Sequence, residues 1–565
     1  MSSDVQMQWG VRVPLRNGIH LSATVYTPVA GYSPYPALFV MTPYVGQTYH
    51  DQALYFAAHG YAFLTVDVRG RGNSEGEFHP INEAHDSHDV IEWLAAQPYC
   101  NGKVGMWGGS YSGYVQWAAT KELSQSLSTI VPVAAPCRGV DSPMRNNIFA
   151  PYSIQWLTLV SGRASQDKIF FENRVFWSAL FRRWYRTGKP FRELDTFAGN
   201  PSALFQEWIS HPQQGPYWDR YNPSAKEYGA VTIPILTITG AYDANQPGSL
   251  THYREHMRNA PPGARAQHYL VIGPWDHAGT RVPKTEFGGI RVGPASLIDI
   301  RQLHLDWYAW VMRGGPKPKF LRSNVAYYVM VADKWRYADS LDAITSRSVP
   351  LYLSSLGNSP TVLNPGHLGA EPGDLGGPDQ YVYDPHDMSH AELESGIDPD
   401  ALTDQRMLHA CAGKQLVYNS DPFERDTEVS GFCKLVAWLS IDQPDTDFRA
   451  WLYELDPEGG STLLTMDSMR ARYRESLRQA RLILDTGPLR YELDRFTFVS
   501  RLVRRGHCLR LVIGPINSIY NERNYNAGGV VAEESMADAR PATVRLFHDD
   551  QHVSVLYLPI GQPEA

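Results

Sequence analysis

Between Val11 and Gly113 the chain alternates short β-rich runs with helical ones, and this alternation restricts it to a sheet covered by helices. LSATVYTP and PALFVMTPY are followed by the helix-like DQALYFAAHG and then by YAFLTVDVRG. Val90, Ile91, Leu94 and Ala95 share one helical face before Gly102 and the strand-like KVGMWGG. The order is that of an α/β sheet. It stops after STIVPVAAP. From about Asp141 to Tyr228 the chain is rich in Trp, Phe, Arg and Asn, carries helical stretches such as KIFFENRVFWSALFRRWY, and has no βα alternation, which reads as a helical insertion. The α/β pattern resumes with VTIPILTITGAYD and HYLVIGPWDH and closes on LIDIRQLHLDWYAWVMRGG. There Ile300, Leu303, Trp307 and Trp310 mark a helical face and Gly314-Gly315 a stop.

From about Phe320 short alternating runs replace the helical period: NVAYYVMVA, VPLYLSS, KLVAWLSI, RAWLYEL, CLRLVIGP, ATVRLFHD and HVSVLYLPI. Many short strands separated by turn residues predict a β-sandwich or jelly roll. The stretch from Leu356 to Gln405, rich in Gly, Pro and Asp, reads as long loops. The expected organisation is a core sheet formed by 1–140 and 229–318, a helical insertion over 141–228, and a β-rich domain over 319–565. A chain of 565 residues is too long for one ordinary core and fits such a division.

Charge narrows the partners. With 51 basic and 59 acidic side chains the net charge is −8, without long runs of one sign, which argues against nucleic acid. Arg182-Arg183 and Arg504-Arg505 read as solvated or ion-paired surface. The N-terminus has no secretory pattern and no apolar run is long enough to span a membrane, so a cytoplasmic location is expected. Cys100, Cys137, Cys411, Cys433 and Cys508 are scattered and lack metal-ligand spacing, as expected of reduced thiols. No Walker loop or dinucleotide fingerprint occurs, so neither a cofactor nor a metal is expected.

The chemistry centres on Gly108-Gly109-Ser110-Tyr111-Ser112-Gly113, which holds a Gly-x-Ser-x-Gly pattern between a strand-like run and the helix-like YVQWAATKEL. Flanking glycines permit a tight strand-to-helix turn that lifts the serine oxygen clear of the sheet. A serine hydroxyl needs a base, and the base needs an orienting carboxylate. In this kind of sheet they follow in the order Ser, acid, His. Asp243 directly follows ILTITGAY and His277 follows YLVIGPWD, so all three lie at strand ends on one edge. Asp67 precedes Ser110 and breaks the order, while Asp276 adjoins His277 and cannot easily turn onto its ring. Asp67 is assigned instead to the loop RGRGNSEG. An oxyanion would be met first by the Tyr111 N–H. A second donor should come from the loop after ALFVMT, which delivers Pro43-Tyr44; the residues alone leave Tyr44 either a donor or a half-buried aromatic.

These motifs resemble those of the cocaine esterase and α-amino acid ester hydrolase group of serine hydrolases, related to the X-prolyl dipeptidyl aminopeptidases. The resemblance is carried by TPY at Tyr44, DVRGRGNSEG, EWLAAQPYCNGKVGMWGGSYSG, GAYD at Asp243, GPWDH at His277, and DTEVSG, DTDF, RARYRES and RNYNAGG further on. It implies an α/β fold class: an α/β-hydrolase core with an inserted helical cap and a C-terminal jelly roll. It also implies that the Tyr44 hydroxyl donates to the oxyanion. Where α-amino acid ester hydrolases hold carboxylates for the substrate ammonium, this chain has Asn245 and Gln246, which speaks against an α-amino substrate. The additional N-terminal domain of the dipeptidyl peptidases has no counterpart, and 387–405 lacks a Pro-Thr-Val-Gly-Gly-like stretch.

The expectation is a Ser110–His277–Asp243 hydrolase acting through an acyl-enzyme on a small-molecule ester or amide, with Trp156, Asn245, Gln246 and Trp275 at the substrate pocket. Phe170, Phe171 and Trp177 of the cap fit either a bulky apolar acyl group or ordinary packing. The alternatives are acyl transfer or amide chemistry with the same triad, a dipeptidyl peptidase-like enzyme, and a non-catalytic jelly-roll binding protein. A homo-oligomer is compatible with the sequence.

Overall fold

The strands around the Gly-x-Ser-x-Gly turn pair side by side in one sheet. β1 (Val5–Pro14), β2 (His20–Pro28), β3 (Tyr35–Thr42), β4 (Ala62–Asp67), β5 (Cys100–Gly109), β6 (Leu127–Val133), β7 (Ile235–Tyr242), β8 (His268–Asp276), β9 (Val325–Val329) and β10 (Lys334–Ala338) lie in the order β1-β2-β4-β3-β5-β6-β7-β8-β9-β10. Pairing is parallel from β4 through β9 and antiparallel at both ends. The computed structural model describes residues 4–29, 31, 33–164, 168–356, 361–373 and 376–562.

β3 and β4 are buried along their whole length, as expected of strands covered on both faces. Helices α1 (His50–Ala58) and α2 (Glu83–Ala95) precede α3 (Tyr111–Ala119), which leaves the serine turn. The chain steps from β3 outward to β4 and then back across β3 to β5. Open α/β sheets bind ligands beyond the strand C-termini at such a reversal. Tyr44 follows β3 and Ser110 follows β5, one on each side of that crevice.

Helices between Tyr152 and Ala230, among them α4 (Tyr152–Leu159), α5 (Arg174–Thr187) and α6 (Ala203–Ile209), separate β6 from β7. Asn173 caps α5 on the Phe176 N–H and Gly188 ends it in the left-handed conformation. Beyond β7 come α7 (Gln246–Asn259) and α8 (Ile300–Arg313). Asp299 caps α8 and Gly314, at φ 71°, ends it as its sequence predicts. Among the described residues thirteen strands between Thr345 and Gly561 form a second sheet system around its own apolar core, which includes Leu435, Leu452, Tyr491 and Leu556.

Two sequence readings need revision. NVAYYVMVA reads as the first strand of the β-rich domain, but β9 pairs in parallel with β8 and extends the hydrolase sheet. All five of its residues are buried, which suits a strand covered on both faces rather than a half-exposed sandwich strand. The 356–405 stretch carries short strands at Gly366–Gly369 and Asp379–Tyr383 and a helix at Ser389–Glu394; positions 357–360 and 374–375 of it lie outside the described residues. Trp177 follows the packing alternative given for the cap aromatics: it is 3% exposed and packs with Leu180, Phe181 and Ile519. It joins the cap to the β-rich part. All five cysteines are free thiols.

Candidate active site

Ser110 sits between β5 and α3 at φ 60°, ψ −125°, a conformation costly for a residue with a Cβ. The strain is held by neighbours with no room to relax. The Ser110 N–H donates to Val133 O at 2.9 Å, and Ser110 O accepts from Gly113 N at 2.8 Å and Tyr114 N at 3.0 Å. A Cβ on Gly113 would lie 2.8 Å from Val133 O, so only glycine lets α3 start this close to β6. The Tyr111 N–H, in the first turn of α3, has no acceptor among the described residues and is free for an anion.

Asp243, 3% exposed, directly follows β7 and faces His277, which directly follows β8. Their contact is His277 Nδ1 to Asp243 Oδ1 at 2.7 Å. The Asn245 N–H donates to the same oxygen at 3.0 Å, and Thr239 Oγ1 donates to Oδ2 at 3.0 Å. Burial pushes the Asp243 pKa up, but His277 and these hydrogen bonds outweigh it and hold the carboxyl below its ordinary value. Asp243 therefore stays ionised and fixes Nδ1 as the protonated ring nitrogen. Nε2 makes no hydrogen bond among the described residues and is available to a proton.

Tyr44 is half-buried and its hydroxyl accepts from the Trp156 indole at 3.0 Å, with Ser110 as a further hydrogen-bonding neighbour. Burial raises its pKa, so at neutral pH the phenol keeps its proton and can donate it. Its loop is tied down from below by Asp67 at the end of β4 and by Arg71 of the RGRGNSEG loop that follows. Asp67 Oδ1 accepts from Gly46 N at 2.6 Å. Arg71, fully buried, donates from Nε to Pro43 O at 2.7 Å and from its terminal nitrogens to the carbonyls of Ser161, Gly162 and Ala164. One guanidinium thus joins the Tyr44 loop to the end of α4. The assignment of Asp67 to this loop agrees with its contacts; Arg71 was not singled out from sequence, because its partners are backbone atoms far along the chain.

The four residues expected at the pocket divide. Trp156 is buried, stacks on Tyr111 with centroids 5.6 Å apart and donates its indole N–H to the Tyr44 hydroxyl, so it adjoins the site through Tyr44. Asn245 is half-buried; its N–H holds Asp243 and its side chain lies 3.4 Å from Asp141. Gln246 is 1% exposed, its amide bonded to Gly240, Ala241 and Phe498. It joins β7 to the β-rich part and presents nothing to a ligand. Trp275 is also 1% exposed, with its indole bonded to Ser296 O at 3.2 Å and its ring against Trp335. It is core packing beneath the histidine loop. The Tyr111 side chain points away from the crevice and bonds the buried Glu83, leaving only its N–H to the site. Among the described residues no group of His, Cys, Asp and Glu could hold a metal ion, and no helix is long and apolar enough to cross a membrane.

Residues 17–279 match the X-Pro dipeptidyl-peptidase (S15 family) and residues 320–544 the X-Pro dipeptidyl-peptidase C-terminal non-catalytic domain. Cocaine esterase of Rhodococcus sp. (strain MB1 Bresler) is 27% identical, covering 97% of this chain and 98% of its own. The chain is a serine hydrolase with the two domains of the X-Pro dipeptidyl-peptidase family models and similar over its length to cocaine esterase. Two solved structures share its α/β-hydrolase and β-rich architecture. An α-amino acid ester hydrolase superposes with a TM-score of 0.83 at 20% identity, over 99% of this chain and 97% of the other. An aminopeptidase of a marine-sediment Thaumarchaeota archaeon gives 0.81 at 21% identity, over the same shares.

Proposed function

We propose that this serine hydrolase cleaves a carboxylic ester of a small molecule through an acyl-enzyme formed on Ser110. The observation that carries the reading is the convergence of a strained serine, an Asp-held histidine with a free Nε2, and two unspent donors at one sheet edge. Ser110 Oγ attacks the ester carbonyl as His277 Nε2 takes its proton. Asp243 stabilises the imidazolium through Nδ1. The carbonyl oxygen, now negative, is met by the Tyr44 hydroxyl and the Tyr111 N–H. His277 returns its proton to the departing alcohol, then activates the water that releases the acid. In the resting geometry His277 and Ser110 share no hydrogen bond; such contacts tighten when substrate binds.

The direct test is a fluorophosphonate probe, expected to form a single adduct on Ser110. Absence of that adduct in active protein would remove the reading. Tyr44→Phe deletes one oxyanion donor together with the acceptor of the Trp156 indole N–H. It should lower kcat by about a hundredfold to a thousandfold while KM moves little. Equal losses in kcat for Tyr44→Phe and for substitutions outside the crevice would deny Tyr44 this part.

A further inference from the structure

The tight turn after β8 returns an arginine onto the serine elbow. Thr280 Oγ1 donates to His277 O at 2.8 Å, Gly279 N to Asp276 Oδ1 at 2.6 Å, and Arg281 N to Ala278 O at 3.1 Å. These bonds set the start of the Arg281 side chain four residues past the histidine. Its Nη1 lies 2.9 Å, and its Cδ 3.3 Å, from where a Cβ on Gly109 would be. Adding that bond and one Cα–Cα step puts the guanidinium no more than about 8 Å from the Ser110 Cα. Its charge reaches the phenols of Tyr44 and Tyr152, and the Tyr152 side chain is exposed at the start of α4.

Among the described residues this guanidinium makes neither a hydrogen bond nor an ion pair. That contrasts with Arg71, whose donors are spent on four carbonyls, and with Arg174, which pairs with Asp398 and Asp400. Nor is the Asp243 carboxylate available, because His277, Thr239 and Asn245 occupy it. A half-buried cation with unspent donors beside a nucleophile is a ready carboxylate receptor, since its planar fork suits bidentate recognition. We propose that Arg281 is a specificity residue that binds a carboxylate carried by the substrate, so that the preferred substrates are esters bearing a free acid some four to six bonds from the scissile carbonyl. This rests on the ester hydrolase reading and adds to it the class of substrate.

The test compares each acid with its own methyl ester. Mono-p-nitrophenyl adipate against p-nitrophenyl methyl adipate places the carboxylate on the acyl side. 4-Acetoxybenzoate against methyl 4-acetoxybenzoate places it on the leaving group. For at least one pair the kcat/KM ratio of acid to methyl ester should fall about tenfold or more in Arg281→Gln, be partly kept in Arg281→Lys, and fall with added salt in the unmodified enzyme. The pair that responds identifies the side of the ester carrying the acid. Ratios that are the same in the unmodified enzyme and Arg281→Gln for both pairs would overturn the proposal, as would ratios indifferent to salt. Failure of the unmodified enzyme to hydrolyse either neutral ester, with no phosphonate adduct, would instead count against the hydrolase reading itself.

Discussion

Ser110→Ala is expected to lower kcat on an activated ester by on the order of a thousandfold or more. The size of the loss follows from what remains. Without the hydroxyl no acyl-enzyme can form, so His277 must direct water at the carbonyl without a covalent intermediate. Tyr44 and the Tyr111 N–H still polarise the carbonyl, which leaves a residual rate above that of water alone. KM should change little for a small ester, because the hydroxyl adds almost nothing to ground-state binding. The substitution also relieves no strain: the positive φ at 110 is imposed by the bonds to Val133, Gly113 and Tyr114, which alanine would keep. Thermal stability close to that of the unmodified protein is therefore expected together with the loss of rate. A folded Ser110→Ala variant retaining activity within tenfold would place the nucleophile elsewhere.

The triad candidates were legible because each carries a local signal: glycines around Ser110, and apolar strand-like runs ending at Asp243 and His277. A strand end in a parallel sheet is a strong positional constraint, and three at one edge converge. What the sequence did not separate is which neighbours of those residues face the crevice. Gln246 lies three residues past Asp243 and Trp275 two before His277, yet both turn into the interior. Their amide and indole groups find carbonyls there, and Gln246 reaches one more than two hundred and fifty residues away in the chain. Arg71 and Arg281 show the converse. Arginines in Gly-rich or turn segments look like solvated surface, and only the folded chain reveals that one is spent on backbone and the other is not. Likewise the apolar run of β9 fits a sandwich or a parallel sheet, and its uninterrupted burial is a property of the neighbour it pairs with.

The largest stability effect is expected far from the serine, at Arg470. This side chain is 1% exposed and donates to both oxygens of Asp447, at 2.8 and 3.0 Å, and to Glu522 at 3.1 Å. It also approaches Asn147 O at 3.4 Å, and Glu522 N donates to Phe149 O at 2.8 Å. The cluster thus pins the β-rich part to the segment that leads into the cap helices. Removing the cation alone leaves two buried carboxylates uncompensated, so Arg470→Met should cost about 3–5 kcal/mol. The sign of the pH dependence distinguishes this from simple loss of packing. Burial already raises the Glu522 pKa and Arg470 opposes it. Without Arg470 the folded state favours the protonated acids more than the unfolded chain does, so the folded variant binds more protons and its deficit should shrink as pH falls from 7 toward 5. A triple variant, Arg470→Met with Asp447→Leu and Glu522→Met, removes the unpaired charges and should recover much of the loss. Denaturant midpoints measured across that pH range decide the matter: a deficit independent of pH, or no recovery in the triple variant, would mean that Arg470 holds the interface by shape and not by charge.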